Sequence, residues 1–160
     1  MNIFYLDHSP LIAAQSLCDK HVVKMTLETA QLLSTAHHLL PSTVDKEEIY
    51  RKTHENHPSA VWVREGKGNY LWLLQHFYGL LNEYKHRYKK VHASAYLVPD
   101  LAIPPTFPYE GGTAVRLAMP DEFKGPDPVI AYRKYYQSKV QTVDMTWSRR
   151  DRPAWFAEGL

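Results

Sequence analysis

Glu28 follows His21 by two helical turns in the stretch DKHVVKMTLETAQLLSTAHHLL, residues 19–40. At that spacing the two side chains share one side of a helix with Cys18, Met25 and Leu32. A second stripe carries Lys20, Lys24, Gln31, Thr35 and His38, and Glu28 lies where the stripes meet. A carboxylate at the edge of an apolar face, near a histidine, has the setting of a tuned acid or base. A solvated glutamate paired with Lys24 fits the same pattern, and spacing alone does not choose between them.

Other groups could do chemistry. His54 and His57 have an HxxH spacing, but no nearby cysteine or third histidine completes a ligand set. No metal site and no cofactor is therefore expected, and turn hydrogen bonds account for the pair. Cys18 reads as a small buried apolar residue rather than a nucleophile. The densest positive run, Lys85 to His92 with Arg87, Lys89 and Lys90, suits a solvated helix end and a phosphate surface equally. Arg149, Arg150 and Arg152 are interleaved with Trp147, Trp155 and Phe156. Such a mixture suits a nucleic-acid surface or a C-terminus packed on the body.

The elements that must position these groups are helical. Val22, Val23, Met25, Leu27, Ala30, Leu32, Leu33, Ala36, Leu39 and Leu40 recur at helical spacing, uninterrupted by proline or glycine. Residues 1–8 predict an extended lead-in, and Ser9-Pro10 predicts an N-cap opening a first helical piece over 10–18. A bend near Asp19 would join it to the long helix. A second long helix is expected over 59–92, split near Gly66 and Gly68, with Asn69 capping its later half. Its aromatic stripe, from Trp62 through Tyr88, reads as core. Residues 97–128 are dense in proline and should wrap as a loop anchored by Phe107, Tyr109, Leu117, Met119 and Phe123. A last helix is expected over 128–140.

Composition narrows the class. With 160 residues, 44% of them hydrophobic, the chain suits a single compact domain, and its long periodic segments make that domain mostly helical, with about three main helices. Net charge is only +2, so a polyanion must be met by a local patch. The single cysteine fits a reducing cytoplasm, no stretch is long and apolar enough to span a bilayer, and no signal peptide is evident.

Four segments in order resemble one family. Asp19-x-His21-Val22 with Glu28 resembles the catalytic helix of the phage pyrimidine-dimer DNA glycosylases, the endonuclease V type of excision enzyme. Asn56-His57-Pro58 is similar to the family's histidine-proline segment. Met119-Pro120-Asp121-Glu122-Phe123-Lys124-Gly125 is similar to its Pro-x-Glu-Phe-basic-Gly stretch, and Arg152-Pro153-Ala154-Trp155-Phe156 to its terminal motif.

The resemblance implies an all-α domain whose amino terminus lies across the long helix from its glutamate. It implies a glycosylase with apurinic/apyrimidinic lyase activity on double-stranded DNA. The α-amine attacks C1′ of a damaged nucleotide, and Glu28 supplies acid–base and electrostatic help. An α-amine has a reference pKa near ~7.7–8.0 against ~10.4 for lysine, so far more of it is nucleophilic at neutral pH. On this reading Met1 or Asn2 carries the amine and His21 organises the site. Lys20, Lys24, Gln31, His57, Arg87, Lys89, Lys90, Arg149, Arg150 and Arg152 face DNA, and the protein acts as a monomer. Three departures bear on substrate and nucleophile. Leu27 and Gln31 stand where dimer-specific enzymes have arginines. Asn2 replaces threonine, which favours retention of Met1, and about five extra residues precede the glutamate. An enzyme acting on the N-glycosidic bond of a modified base or nucleotide, and a silent nucleic-acid-binding protein, remain the rival readings.

Overall fold

The structure is a computed structural model that describes residues 1–158, with side chains described through Phe156. It is all-helical, and no β-strand occurs among the described residues. The helices are α1 (Pro10–Ser16), α2 (Asp19–Leu39), α3 (Pro58–Glu65), α4 (Lys67–Tyr88), α5 (Val98–Leu101), α6 (Pro128–Ser138) and α7 (Ala154–Glu158). Short 3₁₀ turns cover Ala93–Leu97, Asp121–Phe123 and Lys139–Gln141.

Local chemistry explains each start. Ser9 accepts from the Ile12 amide, with Pro10 in the first turn of α1. The chain is extended at Leu17 and Cys18 before α2 begins, so the break expected near Asp19 falls two residues earlier. His57 Nδ1 accepts from the Ser59 amide and caps α3, and Asp127 caps α6.

Gly66 divides α3 from α4, as its position in the sequence predicts. Asn69 does not cap α4, however. It lies within the helix, where its side chain donates to the Trp62 carbonyl and accepts from the Thr113 amide. The proline-rich loop is thereby stapled to the α3–α4 junction, helped by Lys67 and Gly68 amides donating to Tyr109 and Gly111. The approach is close. A Cβ on Gly66 would lie 2.3 Å from the Gly111 oxygen, and one on Gly68 would lie 2.7 Å from the Gly112 nitrogen.

Two apolar clusters meet along α2. Leu32, Leu33 and Ala36 pack with Trp62, Val63, Leu73, Leu74 and Phe77 from α3 and α4. Nearer the N-terminus of α2, Val22, Met25 and Cys18 pack with Phe4, Leu6, Leu80, Tyr132, Tyr136 and Phe156. Val23 and Leu27 belong to the periodic set yet point outward. Ile130 of α6 is also exposed. Against the second cluster α6 brings its tyrosines to the side of α2 that carries His21 and Glu28.

Candidate active site

The amino-terminal residues form a hook. Asn2 Oδ1 accepts from the Ile3 and Phe4 amides at 2.8 and 2.9 Å, an Asx-type turn, and Phe4 adopts a left-handed φ of 55°. Asn2 Nδ2 donates 2.8 Å to the Ala118 carbonyl, immediately before the Met119–Gly125 motif. All three bonds hold backbone, so Asn2 works as a clamp. Arg133 of α6 fixes the next stretch by donating to the Leu6 carbonyl and pairing with Asp7.

The hook delivers the Met1 nitrogen to 3.6 Å from Glu28 Oε1. Both side chains are largely enclosed, at 2% and 12% exposure. Glu28 is therefore not the solvated partner of Lys24 that spacing alone allows. Its second oxygen, Oε2, is buried with no hydrogen-bond partner among the described residues. Such an orphaned carboxylate oxygen is unusual in a folded protein and calls for an explanation.

Around this pair lies a polar cleft of about 120 Å³ lined by Met1, Asn2, Phe4, His21, Lys24, Met25, Glu28, Tyr135 and Lys139. Lys139 Nζ rests over the Tyr135 and Phe4 rings, 4.6 and 5.6 Å from their centroids. His21 stacks on Phe4, and its Nδ1 is 2.7 Å from the Tyr136 hydroxyl. Burial, with Lys139 and Lys24 nearby, lowers the His21 pKa to about 4. The imidazole is therefore neutral at physiological pH. Taken together, an amine, a carboxylate, a neutral histidine and a cation converge on one opening, which suits covalent chemistry on an electrophilic carbon.

A family model described as pyrimidine dimer DNA glycosylase matches residues 1–96, well over half of the chain. This chain belongs to the pyrimidine dimer DNA glycosylase family. The comparison with curated proteins found no match, nor did that with solved structures. The match spans the hook, His21, Glu28 and α1 to α4. The walls of the cleft contributed by Tyr135 and Lys139, and Tyr136 behind His21, lie beyond it.

Of the residues expected in chemistry, Met1, Asn2, His21 and Glu28 are brought together. The expected DNA-facing residues divide. Lys24 lines the cleft, Lys20 is exposed one turn earlier, and Gln31 is half-buried one turn beyond Glu28. His57 faces the Met1 backbone from the cap of α3, and burial together with the neighbouring amino terminus and His54 lowers its pKa. Lys89, Lys90, Arg149 and Arg152 are exposed.

Arg87 is a correction. Its side chain is 0% exposed and points inward, where it pairs with Glu83 at 2.8 Å and Asp19 at 3.2 Å. It also donates to the Leu17 and Gln15 carbonyls, so four of its five N–H donors are spent inside the protein and its buried head does not face phosphate from the surface. Arg150 is half-buried and also pairs with Glu83. Arg149 donates to the Arg87 carbonyl and closes the end of α4. Asp19 is the centre of this knot, accepting from Thr146, Ser148 and Arg87. Burial alone would raise its pKa, but those hydrogen bonds hold its carboxyl below the usual range.

Sequence reasoning missed Phe4, Met25, Tyr135, Tyr136 and Lys139 as cleft or supporting residues. Tyr132, Tyr135 or Tyr136 and Lys139 stand at helical steps, a signal that they share a face, but nothing in the sequence aimed that face at Glu28. Among the described residues no group of three His, Cys, Asp or Glu could hold a metal ion. No helix among them is long and apolar enough to cross a membrane.

Proposed function

We propose that this protein is a DNA glycosylase with apurinic/apyrimidinic lyase activity, acting on damaged or modified pyrimidines in double-stranded DNA. The observation that carries this reading is the Met1 nitrogen 3.6 Å from Glu28 at the wall of a polar cleft. The amine lone pair forms a bond to C1′ of the lesion as the bond from C1′ to the base breaks. The departing base takes that electron pair and the proton that Glu28 has first drawn from the Met1 ammonium to free its lone pair. The attached nitrogen then sheds a proton to Glu28, C1′–O4′ opens with O4′ protonated, and an iminium results. Loss of a C2′ proton then expels the 3′ phosphate and cuts the strand.

The supporting residues follow from position. Lys24 and Lys139 flank the opening and neutralise phosphate, while Lys20, Lys89, Lys90, Arg149 and Arg152 extend the positive surface. We place the protein in the cytoplasm, of the host if phage-encoded, acting as a monomer. Incubation with duplexes carrying a thymine dimer, an abasic site or modified pyrimidines, followed by borohydride, should trap a covalent adduct on the amino terminus. Absence of an adduct on all of them would overturn the mechanism.

A second reading, cleavage of the N-glycosidic bond of a modified base or nucleotide, is favoured by one observation. Leu27, exposed beside Glu28, and Gln31 offer no charge where dimer-specific relatives have arginines. The borohydride series separates the readings when free nucleotides are included beside the duplexes.

A further inference from the structure

Tyr136 of α6 bridges the Cys18 amide, just before α2, and the imidazole of His21 within it. Its hydroxyl accepts from the Cys18 amide at 2.9 Å and lies 2.7 Å from His21 Nδ1. A phenol has one proton to donate, and among the described residues His21 Nδ1 is the acceptor within reach. The amide bond fills one of the oxygen's two lone pairs, and with no other acceptor in reach among the described residues the buried hydroxyl proton points at the imidazole. Burial drives the Tyr136 pKa well above its ordinary value, which keeps that proton on the oxygen.

The other edge of the ring faces the cleft. His21 Nε2 has no partner among the described residues and is not sealed from solvent, and His21 lines the opening beside Glu28 and Met1. With Nδ1 accepting, a neutral ring carries its proton on Nε2.

We propose that Tyr136 is a positioning residue that locks His21 as the neutral Nε2–H tautomer, so that its cleft edge donates a hydrogen bond to an oxygen of the bound nucleotide. Identity of the acceptor rests on the glycosylase reading; the tautomer does not. Lys24 of α2 and Lys139 beyond α6 face the ring, and the Met1 amine shares the cleft, all of which oppose an imidazolium. Glu28, across the opening, is the one lining carboxylate that would favour it. His21 then acts as a fixed neutral donor rather than a base, while Glu28 moves the protons.

Long-range ¹H–¹⁵N correlation spectra of the free protein test the lock. At neutral pH His21 should show one protonated nitrogen, Nε2, with Nδ1 as an acceptor. Tyr136→Phe should shift the Nδ1 resonance toward that of an unbonded nitrogen and lower kcat about tenfold, the worth of one hydrogen bond, with KM little changed. Since this variant strips a partner from the Cys18 amide, His21 itself gives a second measure. His21→Gln can place an amide donor near Nε2, whereas His21→Asn reaches only the Nδ1 position. The glutamine variant should retain at least tenfold more single-turnover activity than the asparagine variant. A wild-type spectrum with the proton on Nδ1, or with an imidazolium, overturns the proposal, as does equal loss in the two folded His21 variants. A protein with the expected spectrum that never traps with borohydride would instead defeat the glycosylase reading and, with it, the acceptor.

Discussion

The Met1 nitrogen lies 3.6 Å from Oε1 of Glu28, and the carboxylate's other oxygen is buried without a partner among the described residues. An ion pair built only for stability would satisfy both oxygens, because an unpaired buried acceptor costs about 1–3 kcal/mol. That cost falls on a residue that lines a cleft, beside a neutral histidine. That placement is what a nucleophile and its proton acceptor require.

Replacing Glu28 by Gln keeps the shape and removes the charge and the basic oxygen. Folding and DNA binding should be nearly unchanged, while single-turnover cleavage slows by roughly 10²–10⁴-fold, as for a lost acid or base. A variant within threefold of wild type would return Glu28 to a structural role.

Blocking the amino terminus is a separate measure. The Met1 side chain is 2% exposed and packs against the core cluster of α2, α3 and α4. An uncleaved N-terminal extension turns the amine into a peptide nitrogen and must also displace that packing. Borohydride trapping should vanish, and the thermal midpoint should fall. Full trapping by a protein shown to be extended would assign the nucleophile to another amine, with Lys24 and Lys139 both lining the cleft.

Lys139 invites its own substitution. Changing it to Met preserves the stem over Phe4 and Tyr135 and deletes one of the two cations facing His21. The His21 pKa should rise from about 4, though burial, the larger cause, should hold it below 6.5. If Lys139 meets phosphate, the log–log salt dependence of DNA affinity should become shallower by about 0.9. Titration by NMR and binding at several salt concentrations read the two effects independently.

Much of this architecture was legible because it is local. The uninterrupted apolar period produced α2, Gly66 marked the break between α3 and α4, and Ser9-Pro10 opened α1. The site was half legible, since His21 and Glu28 share one helix. The remainder rests on contacts distant in sequence. Asn2 reaches Ala118, and Arg87 reaches Asp19 and the Leu17 and Gln15 carbonyls. Read alone, Arg87 is a cation at a helix end; with Glu83 one turn before it and Asp19 beneath it, it is a core residue. Periodicity places residues on faces, but it does not say which face meets which.

The buried knot predicts a large stability effect away from the chemistry. Arg87→Met fills similar volume but leaves Glu83 with only Arg150 and Asp19 without its cation. Removing one partner of a buried pair costs about 3–5 kcal/mol. Urea denaturation should show a loss of that order, and limited proteolysis should show earlier release of the segment around Thr146 and Ser148, which Asp19 holds. A loss under 1 kcal/mol would mean that the knot contributes specificity rather than stability.

The last expectation concerns acid. His21, His37 and His76 each have a pKa lowered to about 4, with burial the largest cause in every case. For His37 the bonding enforces neutrality. Tyr70 gives its own proton to the Leu101 carbonyl, so His37 Nε2 donates to the Tyr70 oxygen and Nδ1 accepts from Ser42. His76 donates from Nδ1 to the Pro10 carbonyl, and its Nε2 is buried without a partner among the described residues. Protonating either ring in place would bury an unpaired charge. In the unfolded chain all three titrate near 6.5. Between pH 6.5 and about 4 the unfolded state therefore binds up to about three more protons, and stability must rise with pH across that window and level off above it. Urea midpoints measured from pH 4.5 to 7.5 should climb and then plateau near pH 7. His37→Gln and His76→Gln, if folded, should each flatten the climb by about one proton. A midpoint that stays constant from pH 7 down to 4.5 would show that these rings accept their protons without leaving the fold, and that their burial is not what holds them neutral.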